Sequence, residues 1–70
     1  LDARLIPPAI RHASIFGALD SLTSGQAMAL VAPHDPKPLL AQIADRYGEG
    51  VAVTYLVSGP ESWKLKLARA

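Results

Sequence analysis

The most clearly patterned part of the chain is VAVTYLVSGPESWKLKL, which runs from Val51 to Leu67. Its first part, Val51 to Val57, is β-branched and aromatic, which favours a strand. Turn residues follow at Ser58–Glu61, and the polar and apolar positions then alternate. The apolar positions of this second part are Trp63, Leu65 and Leu67. The pattern predicts an antiparallel hairpin whose second strand has one face in water.

Before this hairpin, the sequence predicts two helices separated by a strand. Ala9 to Leu22 has helical periodicity, with an apolar stripe formed by Ile15, Phe16, Leu19 and Leu22. Ala27 to Ala32 is short and apolar at both parities, which predicts a strand buried on both faces. Asp35 is expected to cap a second helix that begins at Pro36. The buried stripe predicted for that helix is Leu39, Leu40, Ile43 and Tyr47.

The N-terminal residues complete the predicted topology. Leu1 to Ile6 begins with alternating apolar and polar residues, which predicts a first strand that ends at Pro7–Pro8. The expected order is β-α-β-α-β-β, an α+β two-layer sandwich in one domain, residues 1–70. Right-handed crossovers would place both helices on one face of a small mixed sheet.

Composition excludes several classes of function. The chain has 70 residues, no cysteine and a net charge of +1. Without cysteine it forms no disulfide, thiol nucleophile or cysteine-ligated metal site. No run of Lys or Arg indicates nucleic-acid binding, and no apolar run is long enough to span a membrane. We expect a cytoplasmic protein that is a monomer or a weak dimer.

The order of elements and the opening Leu1-Asp2-Ala3-Arg4, followed by prolines at a helix start, resemble the TusA/SirA-like fold. The TusA family carries sulfur on the cysteine of a Cys-Pro-x-Pro motif that opens its first helix. The corresponding stretch here is Ile6-Pro7-Pro8-Ala9-Ile10, which keeps prolines but has no cysteine. Sulfur transfer is therefore not implied for this chain.

The chain is more similar to an uncharacterised bacterial domain family of the same fold. The shared motifs are Leu1-Asp2-Ala3-Arg4, Pro7-Pro8, His12, His34-Asp35-Pro36-Lys37-Pro38-Leu39 and Gly59-Pro60-Glu61-Ser62-Trp63. Relatives of that family occur alone or joined to hemerythrin-like or cupin domains. The resemblance therefore implies a link to metal, redox or nitrogen-oxide physiology, by analogy only.

His12 and His34 are the leading candidates for a site. His12 lies early in the first predicted helix and His34 follows the second predicted strand. Because binding sites in open α/β sheets favour the carboxyl ends of strands, we expect both imidazoles on one edge. With Asp35 or Asp2 nearby, they would suit a divalent metal such as zinc, copper or iron. Alternatively, His12 packs against the helix stripe and His34 donates to a loop carbonyl.

Other polar and aromatic residues have two interpretations each. Arg4 would bind an anion at the strand end or pair with Asp2, Asp35 or a carbonyl. Asp35 would be a metal ligand or general base instead of a helix cap. Tyr47, Tyr55 and Trp63 would form an aromatic platform or pack in the core. The outer face of the last strand is expected to carry Lys64, Lys66 and Arg69, as solvated charges or as a surface for an acidic partner.

Three functions remain open at this point. The first is a non-enzymatic binding or accessory module that uses the His12/His34 edge for a ligand, a metal or a partner protein. The second is an enzyme or group carrier in which histidine replaces the sulfur-carrying cysteine. The third is a structural partner domain of a larger protein.

Overall fold

The computed structural model describes every residue from Leu1 to Ala70. The elements are helix α1 (Pro8–Ser21), strand β1 (Ala27–Ala32), helix α2 (Lys37–Tyr47), strand β2 (Val51–Ser58) and strand β3 (Trp63–Arg69). The strands form an antiparallel open sheet in the order β1-β3-β2. The chain is therefore a small α+β domain whose last strand lies in the middle of the sheet. Neither helix is long and apolar enough to cross a membrane.

The predicted hairpin is confirmed in strands β2 and β3. On β3, Leu65 and Leu67 are buried, whereas the alternate residues Lys64 and Lys66 are exposed. The connecting turn contains Gly59 at φ +64°, a backbone conformation that favours glycine. A Cβ atom at this position would lie 2.7 Å from the Trp63 ring, so the turn also has no room for a side chain.

Both helices pack on the same face of the sheet, as expected, although only α2 connects two strands. Helix α1 contributes Ile15 and Leu19 to the core, and helix α2 contributes Leu39 and Ile43. The buried sheet residues that meet them are Leu30, Val51, Leu65 and Leu67. The helices leave most of strand β2 uncovered, and Tyr55 on that strand is 40% exposed.

The first predicted strand is wrong. Residues Ala3–Leu5 form a 3₁₀ turn, and the only contact of strand type in this segment is a single parallel bridge between Asp2 and Val31. The carboxylate of Asp2 accepts a hydrogen bond from the backbone N–H of Arg4 at 3.0 Å. This local bond favours a turn over a ladder, and the prolines that follow have no N–H to donate. The regular sheet is therefore three-stranded and antiparallel, and the expected mixed sheet is wrong.

The sequence predicts that strand β1 is buried on both faces, and this prediction is also wrong. Leu30 and Ala32 face the core, whereas Ala27 and Ala29 are exposed on the other side of the sheet. No second layer covers that side, because both helices lie on the opposite face. Small alanine side chains tolerate water well, so an alanine-rich run does not distinguish a buried face from an exposed one.

The C-terminal ends of the two helices are joined by a group of side chains that we call the C-terminal cluster: Phe16, Asp20, Arg46, Tyr47 and Arg69. The Asp20 carboxylate accepts hydrogen bonds from the Tyr47 hydroxyl at 2.5 Å and from the Arg46 guanidinium at 2.6 Å. The Phe16 and Tyr47 rings stack at 6.3 Å. The guanidinium of Arg46 lies 5.2 Å from the Phe16 ring centre.

Arg69 belongs to this cluster and not to the outer face of strand β3, so that expectation is wrong. Its guanidinium lies 5.0 Å from the Tyr47 ring centre and donates to the Leu19 carbonyl at 2.9 Å. The strand period explains the error, since residue 69 has the parity of Leu67, which faces the core, and not that of Lys66.

Candidate functional site

A pocket of about 170 Å³ opens at the opposite end of the helix pair, where both helices begin. Its walls come from the first turns of α1, the end of β1, and the loop and first turn of α2. The apolar wall consists of Ala3, Ile15, Leu30, Ala32 and Leu39. Prolines of the loop and of α2 complete one side, so that side is stiff.

The two histidines predicted as site residues both line this pocket. The His12 ring makes an edge contact with Phe16, with ring centres 6.4 Å apart. His34 is exposed, and its Nδ1 lies 3.4 Å from the backbone carbonyl oxygen of Asp35. The structure therefore places two imidazoles from separate elements on one pocket, although the strand pairing that was expected to do so is reduced to one bridge.

Arg11 is a third polar side chain on this pocket and was not predicted. One of its terminal nitrogens, Nη2, donates to the Ile6 carbonyl at 3.0 Å, whereas its Nε is buried and has no hydrogen-bond partner. A buried donor without a partner costs about 1–3 kcal/mol, and more when the group is charged. The sequence did contain a signal, since Arg11 precedes Ile15 and Leu19 at four-residue spacing and so lies on the core-facing stripe of α1.

Asp35 does not cap helix α2, so that prediction is wrong. The helix begins at Lys37 with Pro36 as the preceding residue, and no side chain caps it. Pro38 removes one of the N–H groups that a capping carboxylate would bind, and the Lys37 N–H donates to the Asp35 carbonyl instead. The carboxylate of Asp35 accepts from the Tyr55 hydroxyl at 2.6 Å, and this bond raises the pKa of Tyr55.

Arg4 is paired with Asp2 and does not line the pocket. Its Nε and Nη2 donate to the two carboxylate oxygens at 2.9 and 2.7 Å, a bidentate arrangement. The side-chain hydrogen bonds from Arg4 hold the pKa of Asp2 below its usual value. Two of the predicted site residues, Arg4 and Asp35, are therefore engaged elsewhere, and two, His12 and His34, meet at the pocket.

The electrostatic character of the pocket follows from its lining. No Asp or Glu lines it, and Arg11 contributes a permanent positive charge. Both helices begin at this end and neither has a side-chain cap. The backbone N–H of Leu39, in the first turn of α2, has no acceptor within the chain. Helix N-termini carry a partial positive charge, so the polar side of the pocket favours electron-rich atoms.

The metal hypothesis has two imidazoles at the pocket and no further ligand. No group of three or more His, Cys, Asp or Glu side chains in the chain is placed to hold a metal ion. Protein zinc sites use three or four side-chain ligands. The described side chains fit a bound organic or inorganic ligand better than a metal held by the protein alone.

Comparison with known proteins gives one match. No curated protein and no solved structure matches the chain significantly. A family described as "Uncharacterized conserved protein (DUF2249)" matches residues 1–69, almost the whole length of the chain. The chain therefore belongs to the DUF2249 family of conserved proteins.

Proposed function

We propose that this domain is a non-enzymatic binding module and that the pocket at the N-terminal ends of α1 and α2 is its ligand site. One observation carries the proposal: His12 and His34, from separate elements, line the same apolar-walled pocket. Ligand sites are concave and mostly apolar, with a few polar groups that fix orientation. This pocket has that composition.

The experiment maps binding by two-dimensional NMR of the whole chain. A defined panel of anionic, neutral and cationic compounds about the size of benzene would be titrated into labelled protein. We expect shift changes for at least one compound, concentrated at the amides of residues 11, 12, 30, 32, 34 and 39. Shift changes confined to other surfaces, or none for any compound, would contradict the proposal.

A pair of substitutions on strand β1 makes the test specific. Ala32 is buried and lines the pocket, so Ala32→Leu adds side-chain volume into the space a ligand would occupy. Ala29 lies on the same strand but is exposed on the opposite face, so Ala29→Leu adds the same atoms elsewhere. We expect Ala32→Leu to abolish the shift changes and Ala29→Leu to leave them intact.

The alternative, an enzyme or carrier with histidine in place of cysteine, has less support. A catalytic imidazole is commonly oriented by a carboxylate, and Asp35 was the only good candidate for this role. Its carboxylate is bonded to Tyr55, and His34 contacts only the backbone carbonyl of Asp35. These contacts favour binding over proton transfer as the role of the pocket.

The same proposal includes a TusA/SirA-like fold and a cellular role for the domain. The Asp2–Val31 parallel bridge lies where a TusA/SirA-like fold would have its first strand, which supports a bacterial domain of that fold with a shortened strand. The resemblance to domains joined to hemerythrin-like or cupin partners supports a cytoplasmic accessory role in metal, redox or nitrogen-oxide physiology. Capture of a small molecule in this pocket would link the domain to such a pathway.

A further inference from the structure

We infer that the ligand of this pocket is a small organic carboxylate, an inference that rests on the binding role proposed above. Arg11 is permanently charged, His12 and His34 each carry at least one ring N–H, and no acidic side chain lines the pocket. A guanidinium that lacks an anionic partner favours a ligand that supplies one, because charge-assisted hydrogen bonds are about twice as strong as neutral ones.

Arg11 has an unused donor that suits a carboxylate. Its Nη2 is bonded to the Ile6 carbonyl and its Nε is buried from solvent, whereas its Nη1 makes no hydrogen bond within the chain. Arginine binds carboxylates with neighbouring N–H groups, and Arg4 in this same chain binds Asp2 through Nε and Nη2. A ligand carboxylate at Arg11 would accept a hydrogen bond from Nη1, because Nε is buried from solvent and Nη2 is already bonded.

The size and the walls of the pocket determine the rest of the ligand. The volume is about 170 Å³, and an engineered apolar cavity of about 150 Å³ binds benzene. Five hydrophobic residues line the pocket. An inorganic anion would leave this apolar wall in contact with water, whereas a carboxylate on a small hydrocarbon body would cover it. The lining therefore favours a short-chain or single-ring carboxylate.

The backbone supports the same charge preference. Both helices begin at the pocket without a side-chain cap, and the Leu39 N–H has no acceptor. Free N–H groups in the first turn of a helix bind anions readily. This feature adds to the Arg11 argument, since Arg11 and Leu39 both line the pocket.

The closing experiment compares three probes against the unmodified chain by NMR titration: benzoate, its neutral isostere benzamide, and inorganic phosphate. Replacing charge-assisted hydrogen bonds by neutral ones weakens binding by about tenfold. We therefore expect benzoate to bind about tenfold more tightly than benzamide. Phosphate, which does not use the apolar wall, is expected to bind more weakly than benzoate.

Two substitutions test the residue that carries the inference. Arg11→Gln removes the charge from the pocket and is expected to weaken benzoate binding about ten- to a hundredfold, with less effect on benzamide. Lys37→Gln removes the same charge from an exposed residue that begins α2 but does not line the pocket. We expect it to change benzoate binding by less than about twofold, because exposed charges are screened. The probe series on the unmodified chain decides the question if Arg11→Gln does not fold.

The outcomes separate this inference from the proposed function. If benzamide or a cation from the panel binds as tightly as benzoate, the carboxylate inference is overturned while the binding module stands. If phosphate binds as tightly as benzoate, the organic part of the inference is overturned. If no probe and no panel compound shifts the pocket amides, both proposals are overturned.

Discussion

The two ends of the helix pair differ in how their polar groups are satisfied. At the C-terminal cluster, the Asp20 carboxylate accepts from Tyr47 and Arg46, and Arg69 donates to a helix carbonyl. At the pocket, the buried Nε of Arg11 has no partner and neither helix start is capped. Both ends use the same helices and the same core. The difference therefore lies in the side chains. The C-terminal cluster holds the helices together, whereas the pocket end leaves hydrogen-bond donors for a ligand.

The amino-acid types at the two ends agree with this division of roles. The C-terminal cluster pairs its two guanidinium groups with aromatic rings and with one carboxylate, so each charged group has a partner within the chain. The pocket has a cation and two imidazoles without a carboxylate on its walls. Buried polar groups without partners lower the stability of a small domain that is already marginally stable. Their presence at the pocket is therefore consistent with a binding role.

The largest expected difference concerns the core beneath each end. Leu19→Ala removes a fully buried side chain beside the C-terminal cluster and should cost about 3–5 kcal/mol. Leu39→Ala should cost less, about 2 kcal/mol, because the Leu39 side chain already borders the open pocket. Urea denaturation followed by circular dichroism measures both values. Equal costs would show that the pocket end is packed as tightly as the other end.

A smaller effect is expected from the Tyr47 hydroxyl. Tyr47→Phe keeps the ring that stacks on Phe16 but removes the hydrogen bond to Asp20, and we expect a loss of about 1–2 kcal/mol. Tyr55→Phe is the matched control. The Tyr55 hydroxyl also donates to a carboxylate, that of Asp35, but Tyr55 lies on the exposed strand β2. Thermal unfolding should show a clear drop in Tm for Tyr47→Phe and a smaller one for the control. The reverse order would contradict the clamping role of the C-terminal cluster.

Much of this arrangement was predictable from local patterns. The β2–β3 hairpin and the two helices follow from alternation and helical periodicity within single segments, and the structure has all of them. His12 and His34 both line the pocket, although the first strand that was expected to bring them to one edge is a turn. The hairpin and the helices were predictable because each depends on residues close in sequence.

The failures came from competition between local bonds and from contacts distant in sequence. The Asp2 carboxylate bends its own segment into a turn, and the alanines of β1 gave no sign of which face is covered. The Asp35 carboxylate accepts a hydrogen bond from Tyr55, which is 20 residues away, and no pattern in the sequence indicates that pair. Arg11 was missed because an arginine on an apolar stripe is easily assigned to solvent.

Acid titration offers a further comparison of the two ends. Hydrogen bonds from Tyr47 lower the pKa of Asp20, and hydrogen bonds from Arg4 lower the pKa of Asp2 near the pocket end. A carboxylate with a lowered folded pKa stabilises the fold above its unfolded pKa of 3.8. This contribution is lost as the pH falls through the folded value. We therefore expect Asp20→Asn and Asp2→Asn each to flatten the acid limb of a plot of stability against pH.

Carboxyl-carbon NMR of the unmodified chain checks the direction of both shifts. Asp20 and Asp2 should each titrate below 3.8. The Asp20 shift should be reduced in Tyr47→Phe, because that variant removes the first cause of the lowered pKa. The Asp2 shift should be unchanged in the same variant, since Asp2 is bonded to Arg4. An Asp20 midpoint at or above 3.8 in the unmodified chain would mean that its contacts do not persist in solution.

The smallest effect on stability is expected from substitution of the two pocket histidines, which should have a large effect on ligand binding. His34 is exposed with one long contact, and His12 is exposed with one edge contact to Phe16. Replacing both, in His12→Ala/His34→Ala, should change the free energy of unfolding by less than about 0.5 kcal/mol, as for other surface substitutions. The same variant should weaken benzoate binding in the NMR titration, because both rings line the pocket. A loss of stability above about 1.5 kcal/mol, with benzoate binding unaltered, would show that the imidazoles serve packing, and the contrast between a structural end and a binding end would fail.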